Sequence, residues 1–141
     1  MRQRCTCQEL QINQTRNEAL VYEFLEAHGK PASAYGILDA LRQDGLKAPL
    51  QVYRALTKLI ESGAVHRIES LNAFVACRHH HCADSPVSIF MLFNACDDVT
   101  EAIDDAAASM LDQICATRGF TGARRVIEIS GTCAACSGSA H

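Results

Sequence analysis

The sequence predicts an α+β protein built from two small domains, because helical and strand patterns divide along the chain. Three amphipathic helical segments and a β-hairpin occupy the first half, whereas a strand, a long helix and a second strand occupy the second half. Between them, a polar stretch that contains Pro86 breaks the hydrophobic periodicity. We therefore expect one domain over 1–77, a hinge over 78–87 and another domain over 88–141.

Capping residues mark where the first two helices begin. Thr15 and Glu18 have the spacing of a capping box, and Gly29 is placed to end the helix that follows. Ser33 is the expected N-cap of the second helix, whose apolar residues recur at helical spacing between Ala34 and Leu41.

A third helix and a hairpin complete the first domain. Pro49 is tolerated at a helix start, and the apolar pattern continues to about Ser62. Two β-rich runs follow, over 64–69 and 73–77, with a turn between them. Three helices followed by a hairpin predict an N-terminal winged helix-turn-helix, with 49–62 as its recognition helix.

The second domain is predicted to be a small α/β unit. Residues 88–95 have the composition of a buried strand, 98–118 have the pattern of an amphipathic helix, and 125–130 alternate as a strand does. Two strands and one helix are too few to cover their own edges and apolar faces. We therefore expect a dimerisation domain, and a homodimer as the assembled protein.

Cysteine content, charge and the lack of targeting segments indicate the kinds of partner that the protein binds. We find no secretion signal and no apolar run of membrane-spanning length, so we expect a cytoplasmic chain with no membrane partner. In a reducing compartment, eight cysteines and six histidines favour metal binding over a disulfide framework. The stretch 42–67 is basic and the stretch 83–115 is acidic, so only the first half is expected to meet a polyanion.

Cys133 and Cys136 form the strongest single motif, a Cys-x-x-Cys pair. Two thiolates at this spacing can bind one tetrahedral Zn²⁺. A thioredoxin-type redox pair is the alternative, but such a pair precedes a helix in a βαβ setting, and this one lies in a Gly/Ser-rich tail. Because two cysteines are half a site, we expect Cys96, just after the buried strand, to be the third ligand.

A second group of candidate ligands gathers near the wing and hinge. His66 lies in the first wing strand, Cys77 ends the second, and Glu101 is expected in the first turn of the long helix; the run 79–82 adds three histidines and a cysteine. Mixed N, S and O ligands on separate elements suit zinc. Each residue also has an ordinary structural interpretation. His66 could be a strand histidine and Cys77 a small buried hydrophobe. Glu101 could complement a helix dipole, and the histidines could lie in a solvated loop.

The recognition helix carries candidate DNA contacts. Tyr53 and Arg54 lie near its start, where an arginine can pair with guanine and a tyrosine ring can contact a thymine methyl group. Gln51 and Lys58 add further polar and basic side chains. The alternative is a surface tyrosine and a solvated arginine, and the winged-helix pattern favours DNA.

Three segments of the sequence resemble the ferric uptake regulator family, most closely its zinc uptake regulator branch. They are 33–41, the Val-Tyr-Arg-Ala-Leu run over 52–56, and the Gly-x-Val-His-Arg run that begins at Gly63. The resemblance extends from about Arg16 to Cys136. It implies a homodimeric repressor that is active when metal is bound and that recognises A/T-rich palindromes upstream of metal-uptake genes.

The resemblance also assigns residues. Tyr53 and Arg54 occupy DNA-contacting positions of the family. His66, Cys77 and Glu101 fall on regulatory-zinc positions of the zinc branch, where a cysteine favours zinc over iron.

This chain departs from the family pattern at two places. Phe93 stands where the family usually has a cysteine three residues before the one that matches Cys96, so the structural four-cysteine site lacks a ligand. Cys82, Cys5, Cys7 or His141 could complete it, or the site could be incomplete or lost. The fourth regulatory ligand, a histidine in the family, is also displaced here, and we expect His81 or His79 to replace it.

Three other functions stay open at this stage. The chain could sense iron or manganese, or it could respond to oxidation of Cys96, Cys133 and Cys136. A zinc-dependent hydrolase with Glu101 as base is the third, although no second carboxylate is placed for acid–base work.

Overall fold

The computed structural model describes residues 15–78, 87–121 and 125–137. The chain divides into two compact units, Met1–Ala83 and Asp84–His141. Among the helices in the described ranges, none combines the length and the apolar character needed to cross a membrane.

The first unit is a winged helix-turn-helix, as the sequence predicts. Its elements in chain order are α1 (Arg16–His28), α2 (Ala34–Leu41), α3 (Pro49–Glu61), β1 (Val65–Ile68) and β2 (Ala73–Ala76). The two strands pair antiparallel as the wing.

Local capping determines where α1 and α2 begin. The Thr15 hydroxyl accepts a hydrogen bond from the backbone N–H of Glu18 at 3.3 Å, and the Ser33 hydroxyl accepts one from Gly36 at 3.1 Å. Gly29 ends α1 with φ at 71°, a left-handed conformation that glycine adopts without steric cost. The predicted helix boundaries at Thr15, Gly29 and Ser33 are therefore confirmed.

The core of the first unit holds the wing against the helices. It consists of apolar side chains from all three helices and both strands, including Val21, Leu25, Ile37, Leu38, Val52, Leu56, Leu59, Val65 and Phe74. Backbone hydrogen bonds in both directions, at 3.0 and 2.8 Å, join Ala32 to Phe74 and so attach the wing to the segment between α1 and α2.

The second unit contains a mixed three-stranded sheet. Its elements are β3 (Val87–Phe93), β4 (Asp98–Ala102), α4 (Asp105–Thr117), β5 (Arg125–Gly131) and the short α5 (Ala134–Ser137). The strand order is β4-β3-β5, with β3 antiparallel to β4 and parallel to β5.

The predicted helix over 98–118 is wrong at its start. Residues 98–102 form β4, where Val99 is buried opposite Leu92 of β3. The helix begins only at Asp105, because the Asp104 carboxylate accepts a hydrogen bond from the Ala107 N–H at 2.9 Å and acts as its N-cap. Residues 98–102 thus supply a third strand, which the sequence pattern did not indicate.

Side chains of the second unit divide into a small buried core and a large exposed apolar set. Phe90 is fully buried at the centre of β3. None of the described residues of α4 is buried, and Met110 and Ile114 are 56% and 44% exposed. Val126 and Ile129 of β5 are likewise exposed, so this unit leaves apolar surface uncovered within one chain.

Candidate metal sites and nucleic-acid interface

His66 and Cys77 lie side by side on one face of the wing. His66 is opposite Val75 in the β1–β2 register. The backbone N–H of Cys77 donates to the carbonyl of Ala64 at 2.8 Å, which extends the ladder beyond β2. Directly opposite residues share a face of a hairpin, so His66 and Val75 lie on the same face. Residues two apart on a strand also share a face, so Cys77 lies on that face too and is the diagonal neighbour of His66.

The side chains of this pair match a zinc donor set. A ring nitrogen of His66 and the Sγ atom of Cys77 lie within 4.8 Å of one another. Two such ligands of one tetrahedral zinc are about 3.5 Å apart, given bond lengths of about 2.0 and 2.3 Å. Both residues are only 4% exposed, and an imidazole nitrogen beside a cysteine sulfur is a nitrogen–sulfur pair that zinc favours.

Glu101 is placed in β4 of the second unit rather than in the first turn of the long helix. It lies opposite Phe90 of β3, and its side chain is half-buried. The prediction that Glu101 lies in the first turn of that helix is therefore wrong, and its alternative interpretation as a helix-dipole partner fails as well, because the helix begins four residues later. The candidate ligands His79 and His81 lie outside the described residues.

Cys96 and Cys133 meet at one end of the second sheet. Cys96 lies in the turn between β3 and β4, and Cys133 follows β5. The parallel pairing of β3 with β5 is prolonged by a hydrogen bond from the Asn94 N–H to the Gly131 carbonyl at 2.9 Å, which brings the two turns together.

The two sulfur atoms are close together but are not joined by a disulfide. They are 3.3 Å apart. A disulfide requires about 2.0 Å, whereas two thiolates on one tetrahedral zinc are about 3.8 Å apart at Zn–S bonds of about 2.3 Å. The predicted pairing of Cys96 with the Cys-x-x-Cys motif is thus compatible with the geometry of Cys133.

The remaining ligands of this second site are less defined. The backbone of Cys136 lies in α5, three residues after Cys133. Phe93, which stands where the family pattern has a cysteine, ends β3 and is half-buried. The possible substitutes Cys5, Cys7, Cys82 and His141 lie outside the described residues.

One face of α3 is exposed and basic. Tyr53 is 42% exposed, and Arg54 and Lys58 are exposed beside it. These side chains line an open groove of about 630 Å³, whose other wall is the start of α1 at Thr15, Asn17 and Glu18. A groove with two cations and an aromatic ring along a recognition helix has the chemistry of a DNA-contacting surface.

Gln51 has a structural role that the sequence interpretation missed. Its Oε1 atom accepts hydrogen bonds from the backbone N–H groups of Lys47 and Ala48, at 2.8 and 3.1 Å. This side chain therefore closes the first turn of α3, where Ala48 has no side chain that could cap the helix. A glutamine at the third helical position is the capping-box signal that could have revealed it.

Comparison with known proteins gives the family. No family model matches the chain. It is 34% identical over 133 residues to the zinc uptake regulation protein of Escherichia coli strain K12, which covers 92% of this chain and 76% of that protein. The zinc uptake regulation protein of Shigella flexneri gives the same values.

Solved structures agree with this assignment. Holo XcZur superimposes with a TM-score of 0.82 at 34% identity, covering 94% of this chain and 92% of that one. A zinc uptake regulator complexed with zinc and DNA has a TM-score of 0.82 at 32% identity, covering 94% and 89%. The ferric uptake regulator of Vibrio cholerae, at 20% identity and a TM-score of 0.55, shares the fold. Sequence and structure together show that this chain belongs to the zinc uptake regulator branch of the ferric uptake regulator family.

Proposed function

We propose that this chain is a cytoplasmic, zinc-responsive transcriptional repressor. In this proposal it binds A/T-rich palindromic operators of zinc-uptake genes as a zinc-loaded homodimer. The observation that carries the proposal is the buried His66–Cys77 pair on the wing of a winged helix-turn-helix. It is supported by the similarity to a zinc uptake regulator complexed with zinc and DNA.

We assign the regulatory zinc to His66 and Cys77 from the wing and to Glu101 from the second unit. His79 or His81 is proposed as the fourth ligand. Glu101 enters the set because the resemblance places it at a regulatory position and because a carboxylate oxygen is a normal zinc ligand. When bound, the ion would supply coordination bonds that join residues distant in sequence.

The proposed response to zinc is a shift between arrangements of the dimer. His66 and Cys77 hold the wing, and Glu101 belongs to the other unit, so shared ligands favour one arrangement of the two wings. In that arrangement the two recognition helices match half-sites one DNA turn apart. The gain in DNA affinity cannot exceed the difference in zinc affinity between the competing arrangements.

DNA recognition is assigned to the exposed face of α3. Arg54 and Lys58 supply positive charge for phosphates, which makes the affinity depend on salt. Tyr53 and Arg54 are placed to contact base edges. Gln51 keeps an amide N–H₂ group that can donate, although its oxygen is engaged at the helix start.

The second unit is assigned to dimerisation and to a structural zinc. The exposed apolar side chains of α4 and β5 are the surface that a second copy would cover. Cys96, Cys133 and Cys136 are the proposed ligands of the structural ion. Because the chain is a member of a regulator family, it is not an enzyme, and the hydrolase alternative is dropped.

The test of the zinc response is a binding titration with the full-length protein. Fluorescence anisotropy of a labelled A/T-rich palindromic duplex would be followed under reducing conditions while free zinc is buffered over a wide range. We expect tight binding only above a threshold of free zinc. Binding that does not change with zinc would contradict the proposal and direct attention to iron, manganese or oxidation.

A thiol switch is the second candidate function, because the Cys96 and Cys133 sulfur atoms are only 3.3 Å apart. In that case hydrogen peroxide would take two electrons and two protons from the two thiols, giving one disulfide and two waters. DNA binding would then respond to peroxide and reductant at constant free zinc, whereas the zinc proposal expects no such response from the regulatory site.

A further inference from the structure

The exposed face of α3 includes a leucine, Leu50, beside the residues proposed to contact DNA. Leu50, Tyr53, Arg54 and Lys58 follow the helical spacing that puts residues on one side. Leu50 is 56% exposed and lines the same groove as Tyr53 and Arg54. It is therefore an exposed apolar side chain in a groove whose lining is mostly polar and includes two cations, Arg54 and Lys58, and one acid, Glu18.

Leu50 does not belong to the buried core of the part of the chain that is described. From α3, this core includes Val52, Leu56 and Leu59 instead. The helix start is closed by Gln51 rather than by Leu50. A single exposed leucine is common on protein surfaces, so exposure alone does not indicate a function for Leu50. Its position on the helix does.

Leu50 is the second residue of α3, and the N-terminal residues of a recognition helix are the ones that contact base edges. The only apolar group that a base pair presents in the major groove is the C5-methyl of thymine. Arg54 and Lys58 on the same face provide the charge complementarity that would bring DNA to this surface.

We propose that Leu50 is a specificity-determining residue that selects thymine at one position of each half-site through contact with the C5-methyl group. This inference rests on the proposed DNA-binding function. It adds an apolar contact at one further thymine to the readout assigned to Tyr53 and Arg54.

The test uses the full-length, zinc-loaded protein and a library of duplexes with randomised half-sites. The duplex that the wild-type protein enriches would be resynthesised with deoxyuridine replacing each thymine in turn, which removes only the methyl group. At one thymine per half-site, we expect about fourfold weaker binding by the wild type, the effect of one buried methyl group.

Variants of Leu50 test whether this residue causes the weaker binding to the deoxyuridine duplex. At that thymine, Leu50→Ala should bind the thymine and deoxyuridine duplexes equally, and Leu50→Met should keep the preference; a methyl effect that Leu50→Ala retains at another thymine is assigned to another residue, such as Tyr53. Leu71→Ala is the matched control, because Leu71 is 50% exposed but lies in the wing turn outside the groove. It should behave as the wild type does.

Three outcomes would overturn the inference. If Leu50→Ala keeps the wild-type methyl effect at every thymine, another residue makes the contact. If no thymine shows a methyl effect in the wild type, there is no contact to assign. If zinc-loaded wild-type protein enriches no duplex at all, the proposed DNA-binding function itself fails, and the role of Leu50 fails with it.

Discussion

Cys77 is joined to Ala64 by a backbone hydrogen bond of 2.8 Å, and this bond connects the proposed wing ligand to α3. The N–H of Ala64 donates in turn to the carbonyl of Leu59 in α3, at 2.9 Å. Leu59 is in the core of the first unit. The path from this candidate ligand to α3 therefore crosses two backbone hydrogen bonds, so an ion held at Cys77 would act on backbone that is hydrogen-bonded to that helix.

Replacing Cys77 by serine should abolish zinc-dependent DNA binding while helical content stays unchanged. A hydroxyl is a poor zinc ligand, whereas its size suits the buried position. Anisotropy with the A/T-rich duplex measures the first effect, and circular dichroism measures the second. Cys115→Ser is the matched control, because Cys115 is a half-buried cysteine of α4. A wild-type zinc response in Cys77→Ser would remove Cys77 from the site.

Replacing Lys58 by alanine should weaken DNA binding to all sequences and make it less sensitive to salt. Loss of one phosphate contact lowers the slope of log affinity against log salt by about 0.9. The Lys58–Glu61 ion pair, at 3.4 Å, is exposed on both sides and contributes little to stability. Binding would be measured from low to moderate salt, with Lys30→Ala as an exposed control outside the groove. An unchanged slope would place Lys58 away from the phosphates.

Replacing Cys133 by serine should remove one zinc ion per chain from the protein purified under reducing conditions. The 3.3 Å approach of Cys133 to Cys96 is the reason to expect a shared ion. Atomic emission after gel filtration gives the zinc content, and Cys115→Ser again serves as control. Equal zinc content in Cys133→Ser and wild type would contradict a structural ion at this cysteine and would favour the thiol switch.

Replacing Ser33 by alanine should destabilise the first unit by about 1 kcal/mol, the usual effect of losing an N-cap. The lost interaction is the 3.1 Å hydrogen bond from the Gly36 N–H. Urea unfolding followed by tyrosine fluorescence isolates this unit, because all three tyrosines, Tyr22, Tyr35 and Tyr53, lie within it. Ser33→Asp should retain most of the stability; equal loss in both variants would show that capping is not the cause.

The first unit could be predicted closely because its helix boundaries are local. A hydroxyl at Thr15 or Ser33 and a glycine at position 29 act within one helical turn, so the sequence carries the signal directly. The wing was also predictable, since its strands are adjacent in the chain. His66 and Cys77 could be proposed as ligands from their residue types, but their diagonal placement depends on strand register.

The second unit was less predictable because its strands form through contacts between residues that are distant in sequence. Val99 and Ile103 fit a helical pattern, yet pairing with β3 places Val99 in a strand. Helical periodicity and strand pairing compete over such short segments, and the partner strand decides between them. The parallel pairing of β3 with β5, which brings Cys96 to Cys133, likewise has no local signal.

Because none of the described residues of α4 is buried, the stability of the folded protein depends on its concentration in the cell. A helix with no buried residue among those described contributes little to a solitary chain, so a second chain that covers it would stabilise the fold by mass action. The thermal midpoint of the second unit should then rise with protein concentration. A cell that holds few copies would carry a larger fraction of chains open to proteases, so the regulator's own abundance would help to set its turnover.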